Sequence, residues 1–158
     1  MGDVCDFRTF IGAVIDRAAF TKISGYVEDA RRNATIVQGG RASDDHGYFV
    51  EPTLVETSDP GCRLLREEIF GPVLCVVRAE SMQEAMDITD GHEFGNGACI
   101  FTRDGEVARY FSDHIKAGMV GINVALPVPA AYHSFGGWKR PLFGDLSAYG
   151  PDRGRGAK

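Results

Sequence analysis

Residues 66–77 read Arg-Glu-Glu-Ile-Phe-Gly-Pro-Val-Leu-Cys-Val-Val. Two adjacent carboxylates, Glu67 and Glu68, stand before an aromatic ring, Phe70, and a Gly71-Pro72 break. The apolar run that follows, 73–77, predicts a buried strand. A carboxylate and a ring are thereby held on a stiff turn at the mouth of a strand. In open α/β sheets, ligands gather where strands give way to loops. A carboxylate so placed accepts hydrogen bonds from a ribose diol, and the ring offers a flat apolar surface to a nicotinamide. The plainer alternative is a solvated acidic pair ahead of a strand, and the residues by themselves leave both readings open.

Outward from this stretch, helix and strand patterns alternate. Phe20, Ile23, Val27 and Ala30 recur at helical spacing behind a capping residue, Asp16, which predicts a helix over 17–32 with a basic end at Arg31 and Arg32. Residues 34–37 read as a strand and Gly39-Gly40 as a turn. Residues 48–56 carry Pro52 and read as an edge strand or extended connector. Downstream, Ser81-x-x-Glu84 is a capping-box pattern opening a helix over 82–90, with Met82, Ala85, Met86 and Thr89 on one side. A short buried strand over 98–102 follows. A helix over 105–117 is capped by Asp104, with Gly118 suited to its end. A strand over 119–124 comes next. Beyond it the Pro- and Gly-rich stretch reads as loop. Strands alternating with helices imply an α/β fold with a mostly parallel sheet.

Composition narrows the function. The 158 residues are 44% apolar and 25% charged, which describes one ordinary globular domain with a sizeable core. The net charge of −5 argues against a nucleic-acid partner, because phosphate binding needs a basic face. No apolar run approaches the roughly 20 residues of a membrane span. The start lacks the pattern of a signal peptide, so a cytoplasmic setting is expected. Cys5, Cys62, Cys75 and Cys99 show no metal-ligand spacing, and none has a His or helix-start context for an activated thiolate. We expect no disulfide, no metal and no catalytic cysteine. His46, between Asp45 and Gly47 in a loop, reads as solvated. Phe94-Gly-Asn-Gly97 lacks the third glycine and the following helix of a dinucleotide loop.

The seven residues at 67–73, Glu-Glu-Ile-Phe-Gly-Pro-Val, resemble a signature of the aldehyde dehydrogenase superfamily, and the likeness extends over nearly the whole chain. The resemblance implies part of a three-layer catalytic domain over 1–150, followed by a tail, 151–158, without regular structure. It implies NAD as cofactor, with Glu68 on the nicotinamide ribose and Phe70 against the nicotinamide. It places Phe135 on the substrate tunnel above the Gly136-Gly137 turn, and implies a small semialdehyde substrate and a homo-oligomer. Residues 2–56, notably Gly47-Tyr-Phe-Val-Glu-Pro-Thr53, look like 1-pyrroline-5-carboxylate dehydrogenase, a glutamate-semialdehyde enzyme of proline breakdown. Residues 73–152, notably Phe94-Gly-Asn-Gly-Ala-Cys-Ile-Phe-Thr-Arg-Asp104 and Ser134-Phe-Gly-Gly-Trp-Lys139, look like methylmalonate-semialdehyde dehydrogenase, which acylates coenzyme A. The chain therefore reads as a composite.

The chain also departs from that pattern. Ala125 stands where the family has Pro, Pro141 where it has Ser, and the closing segment Arg-Gly-Arg-Gly-Ala-Lys where an apolar strand between subunits is expected. The family's dinucleotide domain, general-base glutamate and nucleophilic cysteine all fall ahead of Met1. The expectation is thus a dehydrogenase piece that is inactive alone. The alternatives are a non-catalytic module associating with full-length dehydrogenase subunits through an exposed sheet edge, or an inert truncated product.

Overall fold

Asp16 opens the first helix, α1 (Arg17–Asn33), by accepting a hydrogen bond from the Ala19 amide at 2.7 Å. The computed structural model describes residues 1–128, 138 and 139. Ile23, Tyr26, Val27 and Ala30 are the buried stripe of α1. Each fully buried aliphatic side chain there contributes about 1.5–3 kcal/mol of transfer free energy. The helix stops where Ala34 turns extended, its amide still held by the Ala30 carbonyl at 2.9 Å. The chain separates into two compact units, Met1–Arg78 and Ala79–Lys158.

In the first unit, β1 (Thr35–Gln38), β4 (Thr53–Glu56) and β5 (Val73–Val76) form one sheet in the order β1-β4-β5. β1 runs antiparallel to β4 with a bulge between Ile36 and Gln38, and β4 runs parallel to β5. A small antiparallel pair, β2 (Ala42–Ser43) and β3 (Phe49–Val50), stands beside it. Val50, Val55, Leu64 and Ile69 close the core against α1, with Ile36, Val73 and Cys75 packed on it. Gly39 sits at φ +81, and a Cβ there would lie 2.2 Å from the Pro52 carbonyl oxygen, so only glycine fits this turn.

Two expectations change here. The Pro52 segment is no edge: β4 is the central strand, and Pro52 precedes its first ladder residue, where the missing N–H costs no pairing. β5, expected to be buried, has only one strand partner among the described residues, and Leu74 is 65% exposed. A one-turn helix, α2 (Arg63–Arg66), which no periodicity announced, leads into the central stretch.

In the second unit, Ser81 caps α3 (Met82–Asp90) by accepting from the Glu84 amide at 3.1 Å. The return arm of this box goes one residue early, to the Glu80 amide at 2.7 Å. Next come β6 (Phe94–Gly95), β7 (Gly97–Ile100), α4 (Gly105–His114), β8 (Met119–Ile122) and β9 (Trp138–Lys139). β7 and β8 pair parallel across α4, while β6 and β9 pair antiparallel. Met86, Phe111, Ile115 and Ala117 form this unit's core. α4 ends three residues earlier than predicted, because Ile115 turns extended to bury itself with Ala117. Gly118 does not cap that helix; its amide bonds the Gly95 carbonyl at 2.9 Å. Residues 138–139, read as loop, form a strand instead. At the ends of β7 and β8, the Asn123 side chain accepts from the Thr102 amide at 2.9 Å and donates to the Thr102 carbonyl at 3.0 Å. The α/β reading holds, with a mixed sheet pattern in which the two four-pair ladders are parallel.

Candidate functional site

The stretch at 66–72 is held by its second and fourth residues. Glu67 turns extended at the end of α2, and its amide bonds the Arg63 carbonyl at 3.0 Å. Its carboxylate accepts from Arg63 Nε at 2.9 Å, one helical turn back, and from the Tyr26 hydroxyl on α1. The Arg63 guanidinium lies 4.4 Å over the Tyr26 ring. The hydrogen bond from Arg63, and then that from Tyr26, holds the Glu67 carboxyl below the usual carboxylate range. Tyr26 is pushed the other way, mainly by its bond to Glu67 and further by burial. Ile69 is buried in the core beside α1.

Glu68 and Phe70 flank that anchor, and both are exposed. The Glu68 backbone carbonyl accepts from Lys22 Nζ at 3.0 Å, which ties the segment to α1 again. The Glu68 carboxylate makes no hydrogen bond or ion pair among the described residues. Phe70 is 86% exposed and sits at φ +56, a conformation that a bulky side chain rarely adopts. The turn then tightens: the Val73 amide bonds the Gly71 carbonyl at 2.8 Å, and the Thr53 amide bonds the Pro72 carbonyl at 2.9 Å. The first acid of the pair is thus used in holding the stretch, while the second is left with open acceptor capacity beside an outward ring. Such a set can hold hydroxyl groups on one side and a flat heterocycle on the other.

Of the predicted site residues, Glu68 and Phe70 fall together on this shelf, whereas Phe135 lies outside the described residues. Tyr26, Arg63 and Lys22 were missed. The Arg63/Glu67 spacing of four was legible as a helical ion pair. Tyr26 carried no signal, because its partner lies 41 residues away.

All four cysteines are free thiols. Burial pushes the Cys75 thiol up, and the neighbouring Cys62 thiol adds to this. Cys62 is buried, and the Cys99 thiol donates to the Ala125 carbonyl at 3.4 Å. Cys5 is exposed, its amide bonded to the Asp3 carboxylate at 2.9 Å. His46 is exposed. In the Phe94–Gly97 stretch, backbone groups are spent on pairing, with the Met119 amide on the Asn96 carbonyl at 2.9 Å. Among the described residues no cluster of His, Cys, Asp or Glu could hold a metal, and no helix is long and apolar enough to cross a membrane.

The α/β scaffold presents an exposed carboxylate, Glu68, and an outward ring, Phe70, just ahead of a strand, and the family model for the aldehyde dehydrogenase family matches residues 1–153. The chain belongs to the aldehyde dehydrogenase family. It is 54% identical over 147 residues to the malonate-semialdehyde dehydrogenase of Pseudomonas aeruginosa, covering 90% of this chain and 30% of that relative. Among solved structures, methylmalonate-semialdehyde dehydrogenase from Oceanimonas doudoroffii superposes with a TM-score of 0.88 at 56% identity, covering 96% of this chain and 32% of that one. A methylmalonate-semialdehyde dehydrogenase from Sinorhizobium meliloti, complexed with NAD, gives the same TM-score and coverage at 41% identity. The chain thus spans about a third of the length of the relatives it matches.

Proposed function

We propose that this chain is the portion of an NAD-dependent semialdehyde dehydrogenase that presents the nicotinamide-facing shelf, with residues 1–150 contributing to one catalytic domain. Glu68 accepts hydrogen bonds from the nicotinamide ribose, Phe70 packs against the nicotinamide, and Phe135 borders the substrate path. The observation that carries this reading is the unequal acid pair: Glu67 is engaged by Arg63 and Tyr26, and the Glu68 carboxylate beside it makes no hydrogen bond or ion pair among the described residues. NAD, when bound, accepts the hydride. The chain's own residues orient it, with Arg63, Tyr26 and Lys22 stiffening the backbone that carries Glu68.

Aldehyde oxidation in this family needs a thiolate that attacks the carbonyl. In this reading the nucleophile belongs to the part of the relatives' length that lies outside this chain. The substrate class we favour is malonate or methylmalonate semialdehyde. The 54% identity over 147 residues supports that branch for the whole chain rather than a composite with the glutamate-semialdehyde branch of proline breakdown. For the complete enzyme we expect a cytoplasmic, homo-oligomeric dehydrogenase.

The test is a graft. The matching third of the Oceanimonas doudoroffii enzyme is replaced by this chain, and the hybrid is assayed for NAD-dependent oxidation of methylmalonate semialdehyde. We expect turnover from the hybrid and none from the 158 residues alone. Glu68→Gln in the hybrid should cost about 1–3 kcal/mol in transition-state stabilisation through a lost charged hydrogen bond. A hybrid that folds but does not turn over, or unchanged kinetics in the Gln variant, would overturn the assignment.

A further inference from the structure

Lys139 closes β9 in a conformation that lysine seldom takes. Among the described residues, β9 is held to β6 by two rungs, Phe94 with Lys139 and Gly95 with Trp138. So short a pair is marginal in water by itself. The Lys139 backbone stands at φ +70, the left-handed region, which a non-glycine residue keeps only where its surroundings fix it. Those surroundings are the end of α3. Lys139 Nζ donates to the Asp90 carbonyl and to the His92 carbonyl, each at 2.9 Å, across 49 and 47 residues of sequence. Carbonyls at a helix C-terminus lack partners within the helix and carry the negative end of its dipole. The last turn of α3 has no basic residue of its own, and the helix ends on an acid, Asp90. Lys139 therefore brings from a distant strand the cation that α3 lacks. The facing strand has no slack: a Cβ on Gly95 would lie 2.8 Å from the Lys116 carbonyl oxygen and 2.9 Å from that of Trp138.

We propose that Lys139 is a positioning residue for the substrate: its ammonium pins β9, and with it the chain that leads into β9, to the end of α3. β9 begins three residues after Phe135, which the proposed function sets beside the substrate path, and the inference rests on that reading. Two ladder rungs give little to fix the entering chain, whereas orienting a substrate is exacting. A misplacement of about 1 Å can cost about a hundredfold in rate. The charged clamp supplies the missing constraint, and it works through the backbone rather than on reacting atoms. Glu68 and Phe70 belong to the other unit, so the cofactor shelf should not feel the clamp's loss.

Trp138 is the single tryptophan of the chain, so its fluorescence reads β9 alone. In the full 158-residue chain, Lys139→Met should shift that emission to the red and make it more readily quenched by acrylamide, with far-ultraviolet circular dichroism unchanged. Lys139→Arg should keep the wild-type emission, because a guanidinium also donates to two carbonyls. In the hybrid enzyme described above, Lys139→Met should raise KM for methylmalonate semialdehyde about tenfold and leave KM for NAD within about twofold, and Lys139→Arg should restore the first. Lys116→Met removes an exposed cation from the same neighbourhood without touching the clamp, and should change neither signal. An unfolded Met variant leaves Lys139→Gln, which keeps a donor without the charge, to show the same changes in weaker form. Unmoved tryptophan emission would overturn the proposal. So would a semialdehyde KM that stays put, a rise shared equally by NAD, or an Arg variant no better than Met. A hybrid inactive with Lys139 in place sinks the proposed function instead, and the tryptophan signal alone then decides the clamp.

Discussion

Phe70 stands at φ +56, and among the described non-glycine residues at positive φ it is the aromatic one. A bulky residue in that region costs on the order of 1–3 kcal/mol, which the surrounding contacts must offset. Ile69 on one side and the Gly71-Pro72 turn on the other supply those contacts. Replacing Phe70 by Gly should therefore give a protein more stable than the Ala variant by about 1 kcal/mol, reversing the usual order of these residues. Denaturant melts of the two variants decide this, and an Ala variant as stable as Gly would show that the backbone relaxes. At the neighbouring acid, Tyr26→Phe removes one of the two donors that hold Glu67 low. The Glu67 carboxyl should then titrate at higher pH, yet still below an ordinary glutamate, because Arg63 remains. Carboxyl-carbon NMR reads the shift directly, and an unmoved titration would remove Tyr26 from the buttress.

At the scale of the element, the shelf and α1 are fitted to each other without slack. A Cβ added at Gly71 would lie 2.6 Å from Ile23 Cδ1 and 2.7 Å from Cγ1. Ile23 is 1% exposed and has nowhere to retreat. Gly71→Ala should cost about 1–3 kcal/mol by overpacking. A measured change within about 0.5 kcal/mol would mean that the helix can shift. The helices were readable where local chemistry decides them: Asp16, Ser81 and Asp104 each cap the helix that their spacing predicted. The shelf itself was readable from its acid pair, ring and Gly-Pro break. What escaped the sequence depends on distant partners. The central place of β4, the exposed face of Leu74 and the early end of α4 are set by which strand or core lies alongside. The buttress from Tyr26 was illegible for the same reason, since helical spacing identifies a buried face but not the polar group that a tyrosine on it will meet.

For the whole molecule, ion pairs give a pH dependence with a definite sign. Arg41, Arg78 and Arg63 hold the carboxyls of Glu51, Glu56 and Glu67 below the ordinary glutamate value. A carboxyl lowered by folding adds stability above its unfolded value of about 4.3, and that stability is lost as pH falls through the lower folded value. The melting temperature should therefore decline from about pH 5 downward, and less steeply in Arg78→Gln. Added salt should shrink the difference between the two proteins, because these pairs face solvent. A melting temperature indifferent to acid would remove the ion pairs from the balance. In the second unit, the Asn123 carboxamide plays the part of a missing peptide group toward Thr102. Its consequence is kinetic: the Thr102 amide lies past the last rung of β7, yet it should exchange with deuterium as slowly as a strand amide, and Asn123→Ala should release it to the pace of a free loop.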